Sequence, residues 1–123
     1  MIGYVTVGTN DLERAREFYD ALMGEIGAQR FMSDDRLTIY GKDPGAPMVA
    51  ICIPWNKEAA TVGNGMMVAL NLDSKELAEK VYRKALELGG SDEGKPGPRG
   101  DLLWGGYFRD LDGNKFFAFT MGG

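Results

Sequence analysis

The first chemical fact of this sequence is a missing side chain: none of its 123 residues is histidine. Imidazole is the commonest metal ligand and the commonest general base near neutral pH. Its absence excludes Ser-His-Asp triads, Cys-His dyads and histidine-based zinc sites. Chemistry is left to carboxylates, tyrosines, lysines, arginines and the single thiol of Cys52. Cys52 lies between Ile51 and Ile53 and reads as a small buried hydrophobe rather than a nucleophile. Arg109 stands beside Asp110 and shares a strand face with Tyr107. It could receive a ligand carboxylate or phosphate, or pair with a nearby acid. The run Asp110-x-Asp112-Gly113-Asn114 begins like a calcium loop but lacks the closing glutamate, so it reads as a turn. The stretch Gly94-Lys95-Pro96-Gly97-Pro98-Arg99-Gly100 has the glycines of a lid or an anion nest. Its prolines remove amide donors, which favours a connecting loop. Trp55 and Trp104 could flank a planar ligand or be buried at a contact between units or subunits.

The elements that must position these groups follow from hydrophobic periodicity. A strand is expected at 2–8. A helix follows, capped by Asn10 with Glu13 three residues on, carrying the stripe Leu12, Ala15, Tyr19, Leu22 and Ile26, and ended by Gly27. Strands are expected at about 28–33, 36–40 and 47–53. After a loop from Trp55 the pattern restarts with a strand at 66–72. A second capping box, Asp73-Ser74-Lys75-Glu76, opens a helix with Leu77, Val81, Ala85 and Leu88 on one face, closed by Gly89-Gly90. A hairpin of strands at 102–109 and 115–121 ends the chain. Asn10 aligns with Asp73, Glu13 with Glu76, Ala15 with Ala78 and Tyr19 with Tyr82. The chain is thus an internal repeat of about 62 residues, each unit reading βαβββ. Within the strands, alternation sets Tyr4 and Thr6 opposite Val5 and Val7. It groups Met67 with Ala69 and Asn71, and Phe117 with Phe119 and Met121.

Composition bounds the partners. There are 14 basic against 18 acidic residues, a net charge of −4 and a pI near 4.8, which argues against nonspecific binding to nucleic acid or anionic lipid. No apolar run approaches the roughly 20 residues of a membrane span, no signal peptide is apparent, and one cysteine permits no internal disulfide. A cytoplasmic location is expected.

Three segments, GTNDLERAREFYDALMGEIGA, GNGMMVALNLDS and YFRDLDGNKFFAF, resemble the vicinal oxygen chelate superfamily, which includes glyoxalase I, bleomycin-resistance proteins and extradiol dioxygenases. The resemblance covers nearly the whole chain. It implies an α+β fold of two βαβββ units, at 1–54 and 65–123 with a linker at 55–64, whose curved sheets form a cleft. Metal-dependent relatives hold a cation there with His or Glu. Carried over one at a time, those positions fall on Tyr4, on Ala50 or Cys52, on Met67 and on Phe117. None is a good ligand for a hard or borderline divalent cation. The strands at 2–8, 47–53, 66–72 and 115–121 hold no Asp, Glu or His at all.

The expectation is therefore a metal-free binding protein with no cofactor. Its ligand is a small, uncharged or weakly charged aromatic molecule, met by Tyr4, Thr6, Cys52, Met67, Trp104, Tyr107, Arg109, Phe117 and Phe119. Two other readings stand beside it. One is a lyase or isomerase related to lactoylglutathione lyase, with Tyr4 or Tyr107 as acid and base. The other is a resistance protein that sequesters a cationic planar drug. A homodimer is expected, formed through the first strand and the Trp55 loop, because an open sheet leaves edges to cover.

Overall fold

The computed structural model describes residues 1–122. The chain divides into two units, Met1–Val62 and a second that begins at Gly63. The first contains β1 (Tyr4–Gly8), α1 (Leu12–Gly24), β2 (Gln29–Ser33), β3 (Leu37–Gly41) and β4 (Met48–Cys52). The second contains β5 (Val68–Asn71), α2 (Lys75–Glu87), β6 (Ser91–Arg99), β7 (Leu103–Arg109) and β8 (Lys115–Met121). Each unit is a four-stranded sheet, ordered β1-β4-β3-β2 in one and β5-β8-β7-β6 in the other. In each, the first and last strands pair in parallel and the remaining pairs are antiparallel. The α+β class and the βαβββ repeat are as the sequence led us to expect.

The two helices are built alike. Each runs for 13 residues. The caps sit one residue later than the capping boxes suggest. Asp11 accepts from the Arg14 amide and Ser74 from the Leu77 amide, both at 3.1 Å. Asn10 lies one residue before the first cap. Its side chain instead grips the main chain of Ala60, accepting from the amide at 2.7 Å and donating to the carbonyl at 3.2 Å. That grip holds the segment after Trp55 to the first unit, so the boundary falls at Val62 and not at the start of the segment. At their C-termini both helices close in the same way. Gly27 and Gly89 adopt φ of 77° and 104°, and the next residue's amide, of Ala28 or Gly90, bonds back to the carbonyl of Met23 or Ala85. Only a residue without Cβ takes this left-handed turn cheaply.

The helix faces differ from the expected stripes by a few positions. α1 buries Leu12, Ala15, Phe18, Tyr19, Leu22 and Met23, and Ile26 lies beyond its end. α2 buries Ala78, Val81, Tyr82 and Ala85. In the first unit the helix covers the face bearing Tyr40, whose ring lies 6.1 Å from that of Tyr19. By register that face also carries Thr38, Val49, Ile51, Val5 and Val7. In the second unit α2 covers the face of Phe108 and Phe116, whose rings stack 5.4 Å apart.

One expected loop is a strand. Residues 94–99 belong to β6, paired with β7 through Gly94↔Tyr107, Gly97↔Gly105 and Arg99↔Leu103. Pro96 and Pro98 are accommodated because β6 is an edge strand whose register shifts twice between Asp92 and Gly97. The expected turn at 110–114 is present: the Asp110 carboxylate accepts from the amides of Asp112 and Asn114 and from the Asn114 side chain.

Candidate binding faces of the two sheets

Each sheet has one face covered by its helix and one face turned away from it. In the first unit Tyr4 and Thr6 project from the second face, in register with Met48 and Ala50. Tyr4 is 50% exposed. Cys52 lies on the same face, half-buried against the cluster of Leu37, Ile39 and Ala50. Those apolar neighbours suit a packed thiol. Both residues that could match the family's fourth-strand ligand, Ala50 and Cys52, are thus on one face with Tyr4.

In the second unit the face away from α2 carries a row of aromatic rings. Tyr107 stacks on Phe117 at 4.3 Å and 14°, and Phe117 on Phe119 at 5.0 Å and 8°. The cause is register: Tyr107 faces Phe117 across the β7–β8 pair, and Phe119 faces Gly105. A Cβ on Gly105 would lie 2.7 Å from the Cα of Phe119 and 2.1 Å from the Ala118 carbonyl oxygen. Glycine there is what lets β8 and its aromatic row lie close to β7. Phe117 is only 3% exposed, so it backs its neighbours and offers no ring face of its own. Tyr107 and Phe119 are half-buried and can be reached. The direct stacking on Phe117 expected from the sequence passes to these two rings. Ala69 and Asn71, in register with Phe117 and Phe119, are exposed on the same face. Met67 immediately precedes β5 and is 40% exposed.

Two expected contacts lie elsewhere. Trp104 alternates with Gly105 and Tyr107, so it projects to the side of α2, where the Lys75 ammonium stands 5.8 Å from its ring. Arg109 shares the aromatic face, but its guanidinium bonds to the Glu93 carboxylate and to the Gly113 carbonyl. The pairing partner is Glu93, not the adjacent Asp110. Two cations that the sequence did not single out stand over the Tyr107 ring: Arg99 at 5.1 Å and Lys115 at 5.2 Å. The signal for Lys115 was its parity with Phe117. Arg99 was hidden by reading 94–100 as a loop.

Titrations with a resolved shift belong to the packing, not to this face. Burial and a 2.6 Å bond to Asp92 push the Tyr82 hydroxyl up to about 12. Burial and a 2.8 Å bond to Asp20 push Tyr40 up further. Burial works against ionisation of Asp20, but bonds from Arg30 and Tyr40 outweigh it and hold its carboxyl low. The Tyr82 hydroxyl and the Gly94 amide do the same for Asp92. A tyrosine held protonated in this way is a poorer base than free tyrosine.

Two βαβββ units, each with its first and last strands parallel, together with a sequence free of histidine and an aromatic row on the second sheet, define a recognisable class. The sequence model of the glyoxalase/bleomycin resistance protein/dioxygenase superfamily matches residues 1–117. The chain belongs to that superfamily. It is 36% identical to a glyoxalase/bleomycin resistance protein from Albidiferax ferrireducens T118 whose crystal structure is known, with 98% of each chain covered and a TM-score of 0.89. It also shares its fold with a glyoxalase-related enzyme from Fulvimarina pelagi, at 18% identity, TM-score 0.75 and coverage of 98% and 86%. A glyoxalase/bleomycin resistance protein/dioxygenase family enzyme from Burkholderia phytofirmans PsJN aligns at 16% identity and TM-score 0.72, over 97% and 95% of the two chains. No protein of curated function matches the chain.

The superfamily's metal can be tested against the donors present. The matching positions supply a phenol, a methyl or a thiol, a thioether and a phenyl ring. Among the described residues no three His, Cys, Asp or Glu side chains come together. This donor set does not fit a hard or borderline divalent cation.

Proposed function

We propose that the protein is a metal-free, small-molecule-binding member of the superfamily, and that its ligand is aromatic. The observation that carries this reading is the row Tyr107–Phe117–Phe119 on the sheet face away from α2, with two reachable rings at its ends. A planar ligand against the Phe119 ring gains stacking of about 0.5–1.5 kcal/mol beyond the area it buries. Met67 offers a deformable apolar edge beside β5. The absence of a membrane-spanning helix among the described residues and the lone thiol agree with work in a reducing cytoplasm. A homodimer is proposed on the exposure of Ile2 and Tyr4 near an edge strand and of Trp55, which is 82% exposed.

The test uses 2-naphthamide as a neutral aromatic probe, titrated calorimetrically. Binding should occur and should weaken at least about tenfold in Phe119→Ala. Ala69→Leu crowds the same face from an exposed position and should weaken it without removing any core contact. Binding that ignores both substitutions contradicts the proposal.

A further inference from the structure

We infer that the aromatic face of the second sheet seats an anion, so that the preferred ligand is an aromatic or otherwise planar carboxylate; this rests on the binding reading above and specifies its chemistry. Three independent features converge on Tyr107. Its ring is stacked by Phe117 on the β8 side. Lys115, two pairs further along the β7–β8 ladder and so on the same face, places its ammonium 5.2 Å from the ring centroid. Arg99 arrives from β6, with its guanidinium carbon 5.1 Å from the same centroid.

The path of Arg99 is built into the sequence. Its Cα pairs with Leu103, four residues before Tyr107. The side chain runs back along β6 over two glycines. A Cβ on Gly97 would lie 3.4 Å from Arg99 Nη1. One on Gly94 would lie 3.3 Å from Nη2 and 3.0 Å from Tyr107 Cδ2. The guanidinium is held there by donating to the carbonyls of Lys95 and Pro98. These bonds fix its position and leave its charge uncompensated.

Neither Arg99 nor Lys115 pairs with a carboxylate among the described residues. On the same face Arg109 is matched by Glu93, whereas Asp92, in register with Phe108, lies on the α2 side and accepts from the Tyr82 hydroxyl there. Two half-buried cations beside stacked rings therefore stand out in a chain whose net charge is −4. A planar carboxylate answers both features: its ring continues the aromatic row, and its oxygens take charge-assisted bonds from a guanidinium and an ammonium. A cationic drug would meet like charge at the same place.

The experiment compares naphthalene-2-carboxylate with its neutral isostere 2-naphthamide by calorimetry at low and high salt. The carboxylate should bind about tenfold or more tightly, which is ~1.4 kcal/mol, and the preference should shrink as salt rises. Lys115→Gln and Arg99→Gln should each reduce the preference, and together abolish it, while amide binding changes less than about twofold. Arg99→Lys should keep much of it, and Lys95→Gln, an exposed cation on the same strand, should leave it intact. Equal binding of the two probes, or a preference that survives the double substitution, overturns the anion seat while the aromatic reading stands. If neither probe binds, the aromatic reading itself fails and this inference falls with it.

Discussion

At the scale of single residues, two tyrosine–aspartate bonds tie helix to sheet, one in each unit: Tyr40 to Asp20 and Tyr82 to Asp92. They make stability fall at both ends of the pH scale. Tyr82 and Tyr40 have folded pKa values raised above 10. Their contribution is complete below pH 10 and is lost as pH rises through the folded values, because the unfolded chain ionises first. Asp20 and Asp92 have folded values below 3.8. Their contribution is present above about pH 4 and is lost as pH falls through those values. Urea midpoints measured from pH 2 to 11.5 should form a plateau with two falling limbs. The double variant Tyr40→Phe/Tyr82→Phe should flatten the alkaline limb. An alkaline limb unchanged in that variant would assign it to other groups. These pairs were not legible beforehand. The repeat equates Tyr82 with Tyr19, but the first unit makes its bond from Tyr40 on β3 to Asp20 on α1, and the second from Tyr82 on α2 to Asp92 on β6.

At the scale of elements, the helices were legible because each carries local signals: a polar cap, a 3.6-residue stripe, a closing glycine; the parallel pairing of each unit's first and last strands is a tertiary fact that no local signal announces. The errors were of one kind. Each cap lay one residue later than expected, since Asp11 and Ser74 both stand beside another capping-type residue, Asn10 and Asp73. β6 was hidden because proline and glycine mark loops in general, and an edge position that tolerates them is a tertiary fact. The same blindness concealed Arg99. The β7 pair Gly105-Gly106 shows what the glycines are for. On one side Phe119 lies over Gly105; on the other, a Cβ on Gly106 would lie 2.9 Å from Tyr82 Cδ1 and 3.1 Å from the Pro96 nitrogen. The methyl of Gly105→Ala would meet the backbone of Ala118 and Phe119, with no flexible group to yield. It should lower stability by about 1–3 kcal/mol, read as a shift of the urea midpoint at unchanged slope. A midpoint equal to that of the parent would show that β7 and β8 can separate at no cost.

At the scale of the whole molecule, the superfamily was legible from three motifs, because they span the first helix, the strand that opens the second unit and the closing hairpin. The ligand was not, because fold does not fix the contents of a site. What the sequence did offer was negative: the strands that would carry metal ligands hold Tyr4, Ala50, Cys52, Met67 and Phe117. Phe117 turned out to be a buried spacer, and the rings that can be reached flank it. The proposed homodimer should appear as a doubled mass by light scattering at micromolar concentration. Trp55→Ser should shift the protein toward monomer, and a monomeric parent would refute the assembly.

The central claim is that this chain binds an aromatic ligand on its second sheet with no metal ion. Calorimetric titration of 2-naphthamide into protein stripped with EDTA, repeated with zinc, nickel, iron(II) or manganese added back, tests it directly. The same affinity is expected in every case, with at least about tenfold weaker binding in Phe119→Ala. Binding that appears only when a divalent ion is restored, or that is indifferent to Phe119, would contradict it.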